Sequence, residues 1–214
     1  PPEQMSPAVA RAVSIVARPV PGSPPARFNV PTTGSVIDDG GGFTTSQLVP
    51  GKYVITPGRL SAGWVLRSAM TGGHDAADDP IDLDAAGLSD MVVTFTNQPT
   101  VLTGTVTPED GPPSVMGVIA RSPTVIAFPT DARYWPKYAF SPRRLRTAGA
   151  SSTLTYSITG LPAGEYFVAA STSSVDFTDP KVLAYLAKLA PKVTLVEGES
   201  RAVDVRAAAV PAIR

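Results

Sequence analysis

Apolar residues fall in this chain as short runs, each closed within four to eight residues by Gly, Pro, Asp or Ser. "VSIVARPV", "GFTTSQLV", "KYVITPG", "GWVLRSAM", "DMVVTFT", "LTGTVT", "TVIAFPT", "LTYSIT", "EYFVAAS", "KVTLVEG" and "RAVDVRA" follow one another in this way. Val, Ile, Thr, Phe and Tyr dominate them, and several alternate by twos, as in Met91, Val93, Phe95 and in Val203, Val205, Ala207. A period of two sends successive side chains to opposite faces of a strand, so the pattern predicts an all-β chain with the strand spacing of β-sandwiches. One segment departs from it. In "FTDPKVLAYLAKLAP", Asp179 can cap a helix and Pro180 suits its first position. Val182, Leu183, Leu186 and Leu189 recur at helical spacing before Pro191 stops the run. This predicts a short helix near 180–190 between strands, its apolar face set on the sheet or on the aromatic stretch "ARYWPKYAF".

The chain also repeats a phrase. "SQLVPGKYVITPG" and "SITGLPAGEYFVAA" align at a constant offset of 113 residues, matching Phe43 with Tyr156, Leu48 with Leu161, Gly51 with Gly164, Tyr53 with Tyr166 and Ile55 with Val168. Each position has a physical reason. The Leu enters the core as the first strand ends, and the Gly supplies a positive φ for an abrupt turn. The Tyr then buries its ring at the start of the next strand and keeps a hydroxyl for the backbone of the corner. An offset the size of a small domain predicts two sandwiches in tandem, 1–97 and 98–214, joined near "NQPTVL".

These residues resemble a known family. "GLPAGEY" is similar to the hairpin signature of carboxypeptidase regulatory-like domains, a transthyretin-like β-sandwich family that includes the B-type repeats of Gram-positive surface proteins. "LTGTVTPEDGPP" resembles the family's opening strand and turn, "TVIAFPTD" its second strand, and "VTLVEGESRAVDVRA" its closing pair. The resemblance covers most of 99–214 and, more weakly, 12–97. It implies transthyretin-like or immunoglobulin-like sandwiches and a non-catalytic extracellular module of a bacterial secreted protein. One departure stands out: a strand like "LTGTVT" should precede "VSIVARPV", but "PPEQMSPAVAR" is there instead. The first domain is therefore expected to lack its first strand, which leaves backbone and core open to β-strand addition from another chain. Residues 1–12 are read either as a donor strand or as a clipped end.

Composition narrows the function further. Lys and Arg number 18 and Asp and Glu 18, so no overall field draws the chain to nucleic acid or an anionic membrane. Cys is absent, which removes disulfides and thiolate metal sites. No apolar run approaches the roughly 20 residues of a membrane helix. The start has no order of basic, apolar and small residues, so any signal peptide is expected to have been removed.

Candidate chemistry is sparse. His74, the single histidine, sits in "TGGHDAADDPIDLD" with Asp75, Asp78, Asp79, Asp82 and Asp84. Such a carboxylate set suits Ca²⁺, although the spacing is not that of an EF-hand and the same residues serve turns. No nucleophile elbow, phosphate loop or dinucleotide fingerprint is present, and no cofactor is expected. "ARYWPKYAFSPRRLR" gathers Tyr134, Trp135, Tyr138 and Phe140 beside Arg143, Arg144 and Arg146, a mixture found at interaction hot spots and sugar-stacking surfaces. The same aromatics can instead cap the inserted helix. The expectation is a non-enzymatic surface or matrix element that self-associates into oligomers or filaments. The alternative is a glycan- or protein-binding module using 133–146.

Overall fold

The computed structural model describes residues 6–23, 34–38, 40–45, 48–108, 122–135 and 143–211. The chain is all-β, and it divides into two compact units, Pro1–Pro99 and Thr100–Arg214.

Unit 1 begins with a one-and-a-half-turn helix, α1 (Pro7–Ala12), capped by Ser6, whose Oγ accepts from Val9 N at 3.4 Å. Of the stretch 1–12, read as a donor strand or a clipped end, Pro7–Ala12 is helical rather than extended, with Pro at the start and Ala-rich sequence after it. Strands β1 (Ser14–Pro19), β2 (Gly34–Val36), β3 (Gly51–Pro57), β4 (Val65–Thr71), β5 (His74–Asp75), β6 (Ile81–Leu83) and β7 (Val92–Thr96) follow. They form one sheet of order β2-β1-β3-β6 and a second of order β5-β4-β7. Ile15, Ala17, Tyr53, Ile55 and Ile81 of the first sheet meet Ala69 of the second, with Phe43, Leu48, Val93 and Phe95 packed partly buried around them. The described residues of "GFTTSQLV" join no β-ladder, and Phe43 and Leu48 pack partly buried on the core.

Unit 2 contains β8 (Val101–Thr107), β9 (Thr124–Pro129), β10 (Arg146–Gly149), β11 (Thr155–Thr159), β12 (Gly164–Ser171), helix α2 (Pro180–Leu186), β13 (Lys192–Leu195), β14 (Ser200–Ala202) and β15 (Val205–Ala208). The order is β10-β9-β12-β15-β8-β11, with β13 on β12 and β14 on β8. Leu102, Val106, Val125, Ala127, Tyr166, Val168 and Val205 fill the inner core. On the outer face, Ile126, Phe128 and Ala169 receive Val182, Leu183 and Leu186 of α2. Strand β9 is thereby buried on both faces, which is why "TVIAFP" reads as a continuous apolar run. The α2 cap is as expected, Asp179 Oδ1 accepting from Lys181 N at 2.8 Å. Leu189 is not on the buried face: the helix ends at Leu186, and Leu189 is 56% exposed.

The repeated phrase builds the same corner twice. Gly51 and Gly164 have φ of 153° and 152°, a region that disfavours a Cβ. Tyr53 and Tyr166 are fully buried, and each donates its hydroxyl hydrogen at 2.7 Å to the carbonyl four residues upstream, Val49 or Pro162. Register extends the match. Gly51 faces Leu83 and Tyr53 faces Ile81, as Gly164 faces Leu195 and Tyr166 faces Val193. Pro19 faces Tyr53 and Ala17 faces Ile55, as Pro129 faces Tyr166 and Ala127 faces Val168. Strands β1, β2, β3 and β6 therefore correspond to β9, β10, β12 and β13.

Candidate functional site

The correspondence between the units locates the site. Continued from the Gly51/Gly164 pair at the same offset of 113, residues 42–46 match β11, with Phe43 against Tyr156. Continued from the Leu83/Leu195 pair at an offset of 112, β7 matches β15 through Val93/Val205 and Phe95/Ala207, and residues 88–90 match β14. In unit 2, β8 lies between these two elements, antiparallel to β11 and parallel to β14. Its Leu102 and Val106 close the inner core.

Among the described residues of unit 1, nothing takes that place. A groove of about 1080 Å³ opens there instead. One wall runs from Gly41 to Pro50 and the other from Asp84 to Met91, so both are built from the counterparts of the elements that hold β8 in unit 2. The floor is the inward face of the first sheet: Ile15, Ala17, Tyr53, Ile55, Ile81 and Leu83. Their counterparts Val125, Ala127, Tyr166, Val168, Val193 and Leu195 are all buried in the inner core of unit 2. The groove ends at Met91, where β7 starts. Strand β7 pairs with β4, and among the described residues its other edge has no ladder partner. It carries no charge and no Pro, and Val92 is 63% exposed.

The way β8 is seated tells what such a place demands. Gly104 lies under the chain at Val203: an added Cβ would collide with the Val203 carbonyl and come within 2.9 Å of the Tyr156 ring. Tyr156 donates its hydroxyl hydrogen to Val203 O at 2.6 Å, and Asp204 Oδ1 accepts from Thr105 N and Thr105 Oγ1, both at 2.8 Å. Burial, and after it the Asp204 charge, pushes the Tyr156 phenol up to about 12. The two bonds from Thr105 hold the Asp204 carboxyl below its ordinary range.

The acidic loop is dispersed rather than convergent. Asp75 Oδ1 accepts from Ala69 N at 2.8 Å and Ala77 N at 3.1 Å, and the Asp75 carbonyl accepts from the amides of Asp78 and Asp79. Asp82 meets Lys52 at 3.4 Å, an exposed pair, and Asp84 Oδ1 accepts from Ala86 N. Turn-building thus occupies the carboxylates of Asp75 and Asp84, and an ion pair that of Asp82. Among the described residues no three His, Asp or Glu side chains could hold a metal. His74 is exposed, its Nδ1 3.4 Å from Gly72 O.

The aromatic and Arg stretch splits in two. Trp135 belongs to the fold: Nε1 donates to Pro129 O at 2.9 Å, and the ring meets Phe128 edge-on at 5.9 Å, beside the cluster under α2. Tyr134 closes a 3₁₀ turn, Ala132–Tyr134, whose cap Asp131 also binds Arg133 Nε at 2.7 Å. The guanidinium carbons of Arg133 and Arg144 each lie 4.9 Å from the Tyr134 ring centroid, and Arg144 Nη1 donates to Ala163 O at 3.2 Å. Arg143 is half-buried and Arg146 exposed at the start of β10. Tyr138 and Phe140 lie outside the described residues. Leu48, Gly51, Tyr53, Leu161, Gly164 and Tyr166 all sit at the two corners. The groove itself had one sequence signal, the missing counterpart of "LTGTVT"; its walls had none.

No family model matches this chain, and no curated protein sequence does. Among solved structures it is similar to GBS52, the minor pilin of Streptococcus agalactiae, at 14% identity over 95% of this chain and 85% of that one, with a TM-score of 0.34. It is also similar to the Bacillus anthracis TIE protein, at 10% identity over 93% of this chain and 30% of that one, with a TM-score of 0.24. At TM-scores this low the likeness extends to neither site nor activity.

Proposed function

We propose that this chain is a non-catalytic structural protein of a bacterial surface or extracellular matrix, whose copies associate by β-strand addition into unit 1. The groove carries the reading. It is apolar on its floor, it stands where unit 2 holds β8, and the open edge of β7 begins at its end. A strand entering it gains two things at once: ladder hydrogen bonds along the backbone, and burial of alternate side chains in a core that already has the matching residues around it. The secreted location rests on the resemblance to extracellular modules. No helix among the described residues is long and apolar enough to cross a membrane.

Negative-stain electron microscopy of the purified chain, with light scattering across concentration, tests the reading. Regular oligomers or filaments whose mass grows with concentration are expected. A particle that stays monomeric at every concentration overturns it.

A second reading, a glycan- or protein-binding module, is favoured by one observation, the Tyr134 ring flanked by two guanidinium groups. Under it, Tyr134→Ala abolishes ligand capture and leaves assembly intact. Trp135 is not available for stacking in that scheme, because its ring and its N–H are committed to Phe128 and Pro129.

A further inference from the structure

We infer that the groove of unit 1 accepts residues 114–121 of a second copy of this chain, an inference that rests on the strand-addition reading. The argument starts from β8. Its buried positions are Leu102 and Val106, and Gly104 stands midway between them because Val203 and Tyr156 leave no room for a Cβ. In unit 1 the counterparts of Val203 and Tyr156 are Met91 and Phe43, and both line the groove. The socket therefore calls for an aliphatic residue two before and two after a Gly. That spacing of Val, Leu or Ile about a Gly occurs at Leu102–Val106 and at one other place in the chain, Val115–Ile119, in "SVMGVIAR". Residues 109–121 lie outside the described residues, so the match is one of sequence.

Charge points the same way. Among the described residues, the charged side chains lining the groove are Asp84 and Asp90, with no Lys or Arg beside them. Segment 114–121 carries no acid and ends in Arg121. A short apolar segment with one terminal cation complements an apolar trough with two carboxylates on one wall. The donor belongs to unit 2 and the acceptor to unit 1, so the contact between copies is heterologous: every copy has one unused donor and one unused acceptor, and addition continues head to tail.

The test separates donor from acceptor in the full-length chain. Gly117→Val damages the donor and leaves the groove intact, with Ile119→Ser as a second donor variant. Leu88→Arg, at a wall residue 47% exposed, damages the acceptor and leaves the donor intact. Each variant alone is expected to be monomeric by light scattering, and a one-to-one mixture of Gly117→Val with Leu88→Arg to give a heterodimer and nothing longer. A fluorescent synthetic peptide of residues 114–121 is expected to bind the Gly117→Val chain one to one. It should bind the double variant at least tenfold more weakly. The same peptide carrying Gly117→Val or Arg121→Glu should lose at least tenfold and severalfold, respectively.

Contrary outcomes discriminate. If both donor variants assemble like the natural chain, the segment is not the donor, while strand addition stands. If the peptide binds the Leu88→Arg chain and the Gly117→Val chain equally, the groove is not its site. If the natural chain is monomeric and refuses a peptide that the Gly117→Val chain accepts, the segment occupies its own groove, which overturns the second copy. Failure of assembly and of all peptide binding overturns both the inference and the reading beneath it.

Discussion

Tyr53 and Tyr166 do the same work in the two units, and it can be read from four residues of context. Each ring is buried beside a Gly of φ near 150° and turns its hydroxyl onto the corner, both at 2.7 Å. Replacing either by Phe leaves the ring and orphans a carbonyl, so Tyr53→Phe and Tyr166→Phe should each lower stability by about 1 kcal/mol, measured by urea unfolding. Tyr156 is a different case, because its hydroxyl bonds a distant strand crossing and its phenol is pushed up to about 12. An unfolded Tyr titrates near 10. Since the folded value is raised, the contribution is fully present below about pH 10 and is lost as pH climbs toward 12, at no more than about 1.4 kcal/mol per pH unit for this group. Tyr53, raised chiefly by burial, adds to the same alkaline decline. Asp204 has the opposite sign: its carboxyl is lowered, so its contribution is present above pH 4 and disappears as pH falls further. Urea midpoints followed from pH 9 to 12 should fall in the natural chain and fall less in Tyr156→Phe. Nothing in "LTYSIT" announces that partner, since Val203 is 47 residues away.

At the scale of elements, what sequence could supply was whatever is local. The helix at Pro180–Leu186 is legible because an Asp cap, a Pro and an apolar stripe lie within a few residues of one another. Its end was less so: Leu189 keeps the periodicity, but the chain has already left the helix and the side chain faces water. "GFTTSQLV" has the composition of a strand and its match in unit 2, "LTYSIT", is one, β11. The difference is that β11 has β8 to pair with, and residues 42–45 have no such neighbour among the described residues. Strand propensity reports fitness for a pleated surface, not the presence of a ladder partner. "TVIAFP" and "ARYWPKYAF" show the same dependence on neighbours. Both became interpretable only with α2 laid over Ile126 and Phe128 and with Trp135 closing the end of that cluster. The outer layer of unit 2 is held chiefly by this burial, so Leu183→Ala, at a fully buried position, should cost about 2–5 kcal/mol and be visible as a lower thermal midpoint. The acidic loop is the converse lesson: five carboxylates close in sequence were scattered by the turn that uses them, Asp75 capping amides while Asp82 points to Lys52.

Over the whole molecule the two units differ in completeness more than in design. They share four corresponding strands and the same corner, but the inner core of unit 2 is closed by Leu102 and Val106, whereas the matching floor in unit 1 opens into the groove. The floor from Ile15 to Ile81 is already buried, but apolar wall surface such as Leu88, 47% exposed, forgoes stabilisation of about 25 cal/mol for each Å² that a strand would cover. Unit 1 should therefore unfold first, and any copy that fills its groove should raise its stability by mass action. Scanning calorimetry of the natural chain at several protein concentrations should resolve two transitions. The lower should move upward with concentration, by several degrees over a hundredfold range, while the upper stays fixed. The Leu88→Arg chain should retain both transitions and lose the concentration dependence of the lower one. Two transitions that are both independent of concentration would mean that no second copy enters the groove, and a structural role would then have to be sought away from unit 1.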